Sequence, residues 1–295
     1  MAVARELSPP PFGGPLELAD LVRAALAEDV GAGDVTTAAT VEPGRSGGAR
    51  VVARAAGIVS GTAALVETYR QVDAGIGIEL LSRDGAAVVD GEPVAAARGQ
   101  FASLLLAERT ALNFLQRLSG IASLTARFCD AVRGTGARIV DTRKTTPGWR
   151  ALEKAAVRDG GGLNHRMGLY DAYLIKENHV TGAGGIEVAL AAVSRQGGAG
   201  LPVEIEVRSL VELETLLAAE HRPDRILCDN FSVADLARAV GRIRSAGGAT
   251  LVEASGNVSL ATARRIAETG VDWISVGALT HSAPALDLSC LIDPA

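Results

Sequence analysis

The sequence predicts an α/β protein made of an incomplete parallel (β/α) barrel and a separate N-terminal α/β domain. Three observations lead there. From about residue 137 onward, short β-branched runs alternate with stretches whose apolar residues fall at helical spacing, the repeat of a parallel sheet. Those runs are apolar early and polar at their C-terminal ends, where a βα-barrel gathers its chemistry on one face. Residues 1–135 lack this rhythm and carry turn-punctuated strand-like sequence, which reads as antiparallel pairing.

Within the first part, residues 16–29 (LELADLVRAALAED) form an amphipathic helix. Strand-like segments follow at ARVVARAAGIVSG and DGAAVVDGEPVAAARG, then a long helical stretch over 103–134. The DG-x4-DG-x2-V pattern is similar to the hairpin of lipoyl- and biotinyl-carrier domains. That hairpin needs an attachment lysine, and this domain contains none, so the pattern is structural.

In the second part the strands are RIVDTR (138–143), YLIKE (173–177), VEIEV (203–207), RILCDN (225–230), TLVEAS (250–255) and DWISVG (272–277). Six βα units are fewer than the eight of a full barrel, hence an incomplete one. No GxGxxG follows a first strand, which argues against a dinucleotide-binding sheet. The expected division is an N-terminal domain over 1–125, a catalytic barrel over 126–282, and a tail, 283–295, packing with the N-terminal domain.

Composition narrows the function. At 295 residues and 48% hydrophobic, the chain can bury a proper core. A net charge of −5 with no basic run speaks against nucleic acid as a partner. No apolar run approaches the roughly 18 residues of a membrane span, so no membrane partner is expected. Cys129, Cys228 and Cys290 are odd in number and widely spaced, which fits a reducing cytoplasm. His165, His179, His221 and His281 show no paired-ligand spacing of a transition-metal site. The N-terminal MAVARELSPPPFGG has no signal-peptide core and reads as an arm. Only three of the 29 basic residues are lysine, namely Lys144, Lys154 and Lys176, and all fall within 33 residues. An arginine-biased chain that keeps lysine in one place directs attention there.

The segment 141–179 carries seven Lys/Arg against five Asp/Glu, a positive patch in an acidic protein. Thr146-Pro147-Gly148 and the GGGLNHRMG run at 160–168 mount Thr142, Arg143, Lys144, His165 and Arg166 on loops, with Lys176 on the next strand. Cations converging on one cavity predict a ligand with several negative charges. Glu206 and Asp229 arrive from the following strands. Carboxylates facing a polyanion make sense if they hold Mg²⁺, bond sugar hydroxyls, or stabilise a positive transition state. Ser255-Gly256-Asn257 and Ser275-Val276-Gly277 each link a strand to a helical stretch, the usual barrel phosphate seat. The set suits transfer between a phosphorylated sugar and a separate anionic acceptor.

At these residues the chain resembles the quinolinate phosphoribosyltransferase (nicotinate-nucleotide pyrophosphorylase) family. The likeness runs from ALAEDVGAGDVTT to ISVGALTHSAPALD, through AERTALNFLQRLSGIA, the whole 141–179 segment, VEIEV, CDN and EASGN. It implies an open-faced α/β sandwich joined to a partial barrel, in a homodimer or a multiple of dimers. It further implies quinolinate carboxylates at Arg143, His165, Arg166 and Lys176, with Arg109 completing the neighbouring protomer's site. The pyrophosphate of phosphoribosyl pyrophosphate falls to Lys144 and Lys176, its ribose and Mg²⁺ to Glu206 and Asp229, and its 5′-phosphate to the two small-residue loops. No organic cofactor is implied. Two residues depart from the family pattern: Glu177, where aspartate is common, and Arg208, where an acidic residue is usual. Neither departure removes a ligand. Alternation puts Glu204 and Glu206 on one face and does not choose between them as the ligand-facing carboxylate.

Several residues have plainer readings. Lys154 reads as a solvated or ion-paired surface group between Glu153 and Arg158. Arg109, without the resemblance, reads as a buried partner of Glu108. His179 is evenly balanced between function and bracing, and His221 and His281 read as structural. Glu253 reads as a supporting group behind the ligand contacts, and Phe114, Trp149 and Trp273 as core. Two rival functions are a barrel lyase with a Schiff base at Lys176 and a non-enzymatic nucleotide-binding relative.

Overall fold

The structure, a computed structural model, describes residues 17–196 and 200–294. The proline-rich arm lies outside the described residues. Two compact units emerge. One comprises the chain up to Gly120, Pro147–Leu152 and the stretch from Pro284 onward; the other comprises Ile121–Thr146 and Glu153–Ala283.

In the first unit, helix α1 (Leu18–Val30) and the short α2 (Val35–Thr40) precede strand β1 (Ser46–Ala53). Then come β2 (Gly57–Ile58), α3 (Thr62–Val72), β3 (Gly77–Leu80), β4 (Ala87–Val88), β5 (Pro93–Gln100) and the start of α4 (Phe101–Ala131). The C-terminal strand β12 (Leu288–Pro294) returns to this unit and pairs antiparallel with β1. The sheet order is β12-β1-β5-β3, antiparallel throughout, with β2 and β4 as a separate ribbon. Val51, Ala95 and Ala97 of the sheet pack with Leu65 and Tyr69 of α3 and Leu104, Leu112 and Leu115 of α4. Removing that much apolar surface from water is what holds the layer together. Helix α3 starts at Gly61, where φ is 99° and a Cβ would stand 2.7 Å from Leu118 Cδ1, so glycine is required twice over. Sequence patterning found α1, the strand-like sequence around β1, β2, β4 and β5, and α4; it missed α2, α3 and β3, and read β12 only as a packing tail.

The second unit holds a six-stranded parallel sheet. Its strands are β6 (Arg138–Val140), β7 (Tyr173–Ile175), β8 (Val203–Val207), β9 (Arg225–Asp229), β10 (Leu251–Ser255) and β11 (Trp273–Ser275). The order is β6-β11-β10-β9-β8-β7, so β6 and β7 are the ends of an incomplete barrel. Leu163 makes one parallel bridge to Val140 on the free side of β6. Between the strands run α5 (Arg150–Asp159), α6 (Glu177–Ala183), α7 (Ile186–Arg195), α8 (Leu210–Leu217), α9 (Val233–Ser245), α10 (Leu260–Ala267) and α11 (Ala278–His281). Ser209 and Ser232 accept the Glu212 and Asp235 backbone N–H groups and so begin α8 and α9 close behind their strands. Alternation then sorts the strand residues. Ile205, Ile226, Cys228, Val252, Ala254 and Ile274 alternate with the polar positions and are buried. Glu204 and Glu206, Arg225 and Asp229, Glu253 and Ser255, and Trp273 and Ser275 share the other face. All six sequence-predicted strands are present.

Candidate active site

The shared face has two levels. The lower one is closed. Glu204 and Glu253 are buried, and Arg225 Nη1 lies 3.1 Å from Glu253 Oε2 and 3.6 Å from Glu204 Oε2. The Arg225 guanidinium stacks 3.5 Å over the Trp273 ring. His165 caps the group, with Nε2 2.9 Å from Glu204 Oε2, while its Nδ1 accepts the Arg166 backbone N–H at 2.8 Å. Both ring nitrogens are thus engaged by the protein, and the bond at Nδ1 places the ring proton on Nε2. Burial, with Glu204's negative charge beside it, pushes the Glu253 carboxyl up to about 7. Burial also raises Glu204 and lowers His165. Burial and the repulsion between the two carboxylates thus favour a proton held within this pair.

A second buried network holds the loop that carries His165 and Arg166. Lys154, expected on the surface, is wholly buried. Its ammonium pairs with Asp141, also fully buried, and donates to the His165 carbonyl at 2.9 Å. Asp141 in turn accepts the His165 N–H at 2.9 Å and the Asn164 amide at 2.6 Å. A lysine ammonium survives such burial only with a carboxylate and further acceptors around it, and here it has them. Helical spacing had placed Lys154 correctly in α5 but said nothing of which face turns inward.

The upper level is open. Thr142, Arg143 and Lys144 follow β6, and Thr142 Oγ1 accepts the Lys144 N–H at 3.1 Å. Thr280 donates to the Lys144 carbonyl at 2.8 Å. A Cβ on Gly277 would stand 3.1 Å from Lys144 Cδ and from His281 Nε2, so the Ser275-Val276-Gly277 loop lies against this lysine. Arg166 is braced by a bond from Nη1 to the Ala172 carbonyl. Burial, and then the neighbouring positive charge of Arg143, both disfavour its protonated form. The Nε atoms of Arg143 and Arg166 are buried and have no protein partner. Two like charges held together with unpaired donors call for a multiply charged anion.

Lys176 begins α6, where its N–H donates to His179 Nδ1 at 3.0 Å; bracing is the role the geometry gives His179. Its ammonium stands 3.7 Å from Glu206 Oε2 and is half exposed, unlike the desolvated lysine of a Schiff-base enzyme. Glu206 is raised by burial, opposed by Lys176 and reinforced by the charge of Asp229. The structure thus separates the two glutamates: Glu204 is locked below, and Glu206 stands at the rim. The two departures from the family pattern meet, with Arg208 Nη1 2.5 Å from Glu177 Oε2.

Asp229 accepts the Asn230 side-chain amide at 2.7 Å, and Asn257 donates to Asn230 Oδ1 at 3.1 Å. Gly256 and Asn257 both have positive φ, 91° and 52°. Arg109 lies in the first unit with its side chain 58% exposed and 3.7 Å from Glu108, so the buried-pair reading does not hold. Phe114 is buried and stacks on Trp149 at 4.5 Å, and His221 pairs with Glu187 at the surface. Sequence reasoning missed Asp141, Asn164, Arg225 and Asn230. The period-two alternation of RILCD would have placed Arg225 on the Asp229 face; nothing local marked the other three.

Comparisons with known proteins identify the family of the chain. Residues 34–119 match the family model of the quinolinate phosphoribosyl transferase N-terminal domain, and residues 121–290 that of its C-terminal domain. The chain is 46% identical over 272 residues to the nicotinate-nucleotide pyrophosphorylase (carboxylating) of Mycobacterium leprae, covering 91% of this chain and 95% of that one. It is 40% identical to the chloroplastic enzyme of that name from Oryza sativa subsp. japonica, covering 99% and 82%. Among solved structures it is similar to the nicotinate-nucleotide pyrophosphorylase of Francisella tularensis, with a TM-score of 0.86, 39% identity, and coverage of 94% and 96%.

Proposed function

The chain belongs to the quinolinate phosphoribosyl transferase family, and on that premise we propose the following division of labour at its strand ends. The reaction transfers the phosphoribosyl group of phosphoribosyl pyrophosphate to quinolinate with loss of CO₂, giving nicotinate mononucleotide and pyrophosphate for NAD biosynthesis. The observation that carries the residue assignment is the Arg143–Arg166 pair. Their unpaired, buried Nε donors and mutual repulsion suit the two adjacent carboxylates of quinolinate. We place Thr142 and Lys176 at the border of this seat. His165, with both nitrogens occupied, serves it by fixing the Arg166 backbone.

Lys144 and Lys176 take the pyrophosphate as compact charges. Ser255, Gly256, Asn257, Ser275, Val276 and Gly277 take the 5′-phosphate, and Glu206 and Asp229 face the ribose. The quinolinate nitrogen attacks the anomeric carbon as pyrophosphate leaves, and the carboxylate pair supports the oxocarbenium-like charge that develops. The ribosylated ring nitrogen is cationic and stabilises the electron pair left on the adjacent carbon as CO₂ departs, and a proton from solvent then completes that carbon. The protein's part is positioning and electrostatics.

Mg²⁺ is the metal the family implies. Two carboxylates near enough for Asp229 to raise Glu206 form a hard-oxygen set that suits a cation keeping waters and sharing substrate phosphates. Glu206 and Asp229 would hold it, and it would neutralise pyrophosphate charge. His165, Glu204 and Glu253 also bring ligand atoms together, but Arg225 already lies against both carboxylates. We assign Arg109 to the neighbouring protomer's site in a homodimer or a multiple of dimers, and the protein to the cytoplasm. Among the described residues no helix is long and apolar enough to cross a membrane.

The test is to incubate the protein with phosphoribosyl pyrophosphate, Mg²⁺ and quinolinate and to follow nicotinate mononucleotide and CO₂. Stoichiometric appearance of both is expected. No product, with Lys144→Ala binding both substrates as the parent does, would refute the reading.

A further inference from the structure

Asn230 follows the last residue of β9 and adopts a left-handed backbone, with φ of 55°. Its side chain bonds at both ends. Nδ2 donates to Asp229 Oδ2 at 2.7 Å, and Oδ1 accepts from Asn257 Nδ2 at 3.1 Å. Its backbone N–H donates to the Ser255 carbonyl at 2.8 Å. One residue therefore touches the β9 carboxylate, the end of β10 and the loop after β10. The middle residue of that loop is fitted to it as well, because a Cβ on Gly256 would overlap the Asn230 amide.

The residue type is informative. A left-handed position is filled most cheaply by glycine, and asparagine is tolerated there only at some cost. Backbone geometry alone therefore does not require this amide. Aspartate has the same shape but would set a second carboxylate against Asp229, and it lacks the N–H that Asp229 accepts. What asparagine adds is a donor and an acceptor on one rigid plane.

We infer that Asn230 is a positioning residue which orients the Asp229 carboxylate and the Asn257 phosphate loop as one unit. The ribose contact and the 5′-phosphate seat are then set to each other's spacing by a single side chain. With Oδ2 held by the amide, Asp229 presents Oδ1 to the ligand in a fixed direction. The inference rests on the reading that Asp229 and Asn257 face phosphoribosyl pyrophosphate.

Asn230→Gly separates the two roles, since glycine accepts the backbone and deletes only the amide. Its melting temperature should stay within a few degrees of the parent. Calorimetric affinity for phosphoribosyl pyrophosphate with Mg²⁺ should fall by roughly tenfold, the loss expected of one charge-assisted hydrogen bond. Quinolinate affinity, measured alone, should stay within about twofold. Asn230→Asp keeps the volume and should lose more phosphoribosyl pyrophosphate affinity than Asn230→Gly. Asp229→Asn is run beside them. If Asp229→Asn weakens phosphoribosyl pyrophosphate binding and Asn230→Gly does not, the inference is overturned while the site assignment stands. If Asp229→Asn binds like the parent, the assignment beneath it fails. Equal loss of both ligands in Asn230→Gly would also overturn the inference, because a general loosening of the face does that.

Discussion

Lys154 and Asp141 form an ion pair in which neither side chain has any exposed surface. The pair lies beneath the His165–Arg166 loop and bonds it three times, at the His165 N–H and carbonyl and at the Asn164 amide. Replacing Lys154 with methionine keeps the length of the side chain but leaves Asp141 buried without its counter-charge. We expect Lys154→Met to cost about 3–5 kcal/mol in urea unfolding, the usual loss on breaking a buried pair. A variant with parental stability would show that the pair does not hold the loop.

The Glu253 carboxyl sets a pH dependence on stability. Its pKa rises on folding from 4.5 to about 7, so the folded protein binds the extra proton between those values. Folding is helped most below pH 4.5, and that contribution is lost as pH rises toward 7. His165, lowered by burial, works in the opposite sense near its own range. The comparison is therefore between the parent and Glu253→Gln, which is uncharged throughout. The parent should lose on the order of 1–3 kcal/mol more than the variant between acidic and neutral pH. Parallel stability curves would rule out a proton held there.

With Glu206 and Asp229 proposed to hold Mg²⁺, binding of the phosphosugar should depend on the metal. Chelation should weaken phosphoribosyl pyrophosphate in titrations with the parent, and Glu206→Gln should raise the Mg²⁺ midpoint by roughly tenfold. Glu204→Gln should leave that midpoint in place, because its carboxylate is engaged by His165 and Arg225. A larger shift in Glu204→Gln than in Glu206→Gln would reverse the roles given to the two glutamates.

Gly256 tests the fit of the phosphate loop. Its φ of 91° disfavours any side chain, and the Asn230 amide fills the space a Cβ needs. Gly256→Ala should therefore lose about 1–3 kcal/mol of stability and bind phosphoribosyl pyrophosphate poorly. An alanine variant with unchanged melting and binding would mean the loop adjusts freely.

The six barrel strands were legible because each ends a β-branched run with a polar residue before a new helical period. Arg143, Lys144, Lys176, Glu206 and Asp229 were legible for the same reason, since strand ends converge wherever the sheet is parallel. The lower level was not. Glu204 and Glu253 sit two residues below the rim on their strands, and alternation alone cannot tell a rim carboxylate from a buried one. Lys154 was misjudged because a charged residue in a polar helical run is ordinarily solvated, and only the distant Asp141 overrides that. Helix α3 escaped notice because two of its buried positions are threonines, Thr62 and Thr68, which break the apolar pattern of Ala64, Leu65 and Tyr69.

On the proposed assignment, the Arg143–Arg166 pair seats a dianion apart from the lysine-lined seat of the phosphosugar. That assignment is tested most directly by calorimetric titration of quinolinate, and separately of phosphoribosyl pyrophosphate with Mg²⁺, into Arg166→Ala and Lys144→Ala. Arg166→Ala should weaken quinolinate by roughly 10- to 100-fold and spare the phosphosugar, and Lys144→Ala should do the reverse. Quinolinate bound by Arg166→Ala as tightly as by the parent would contradict the assignment.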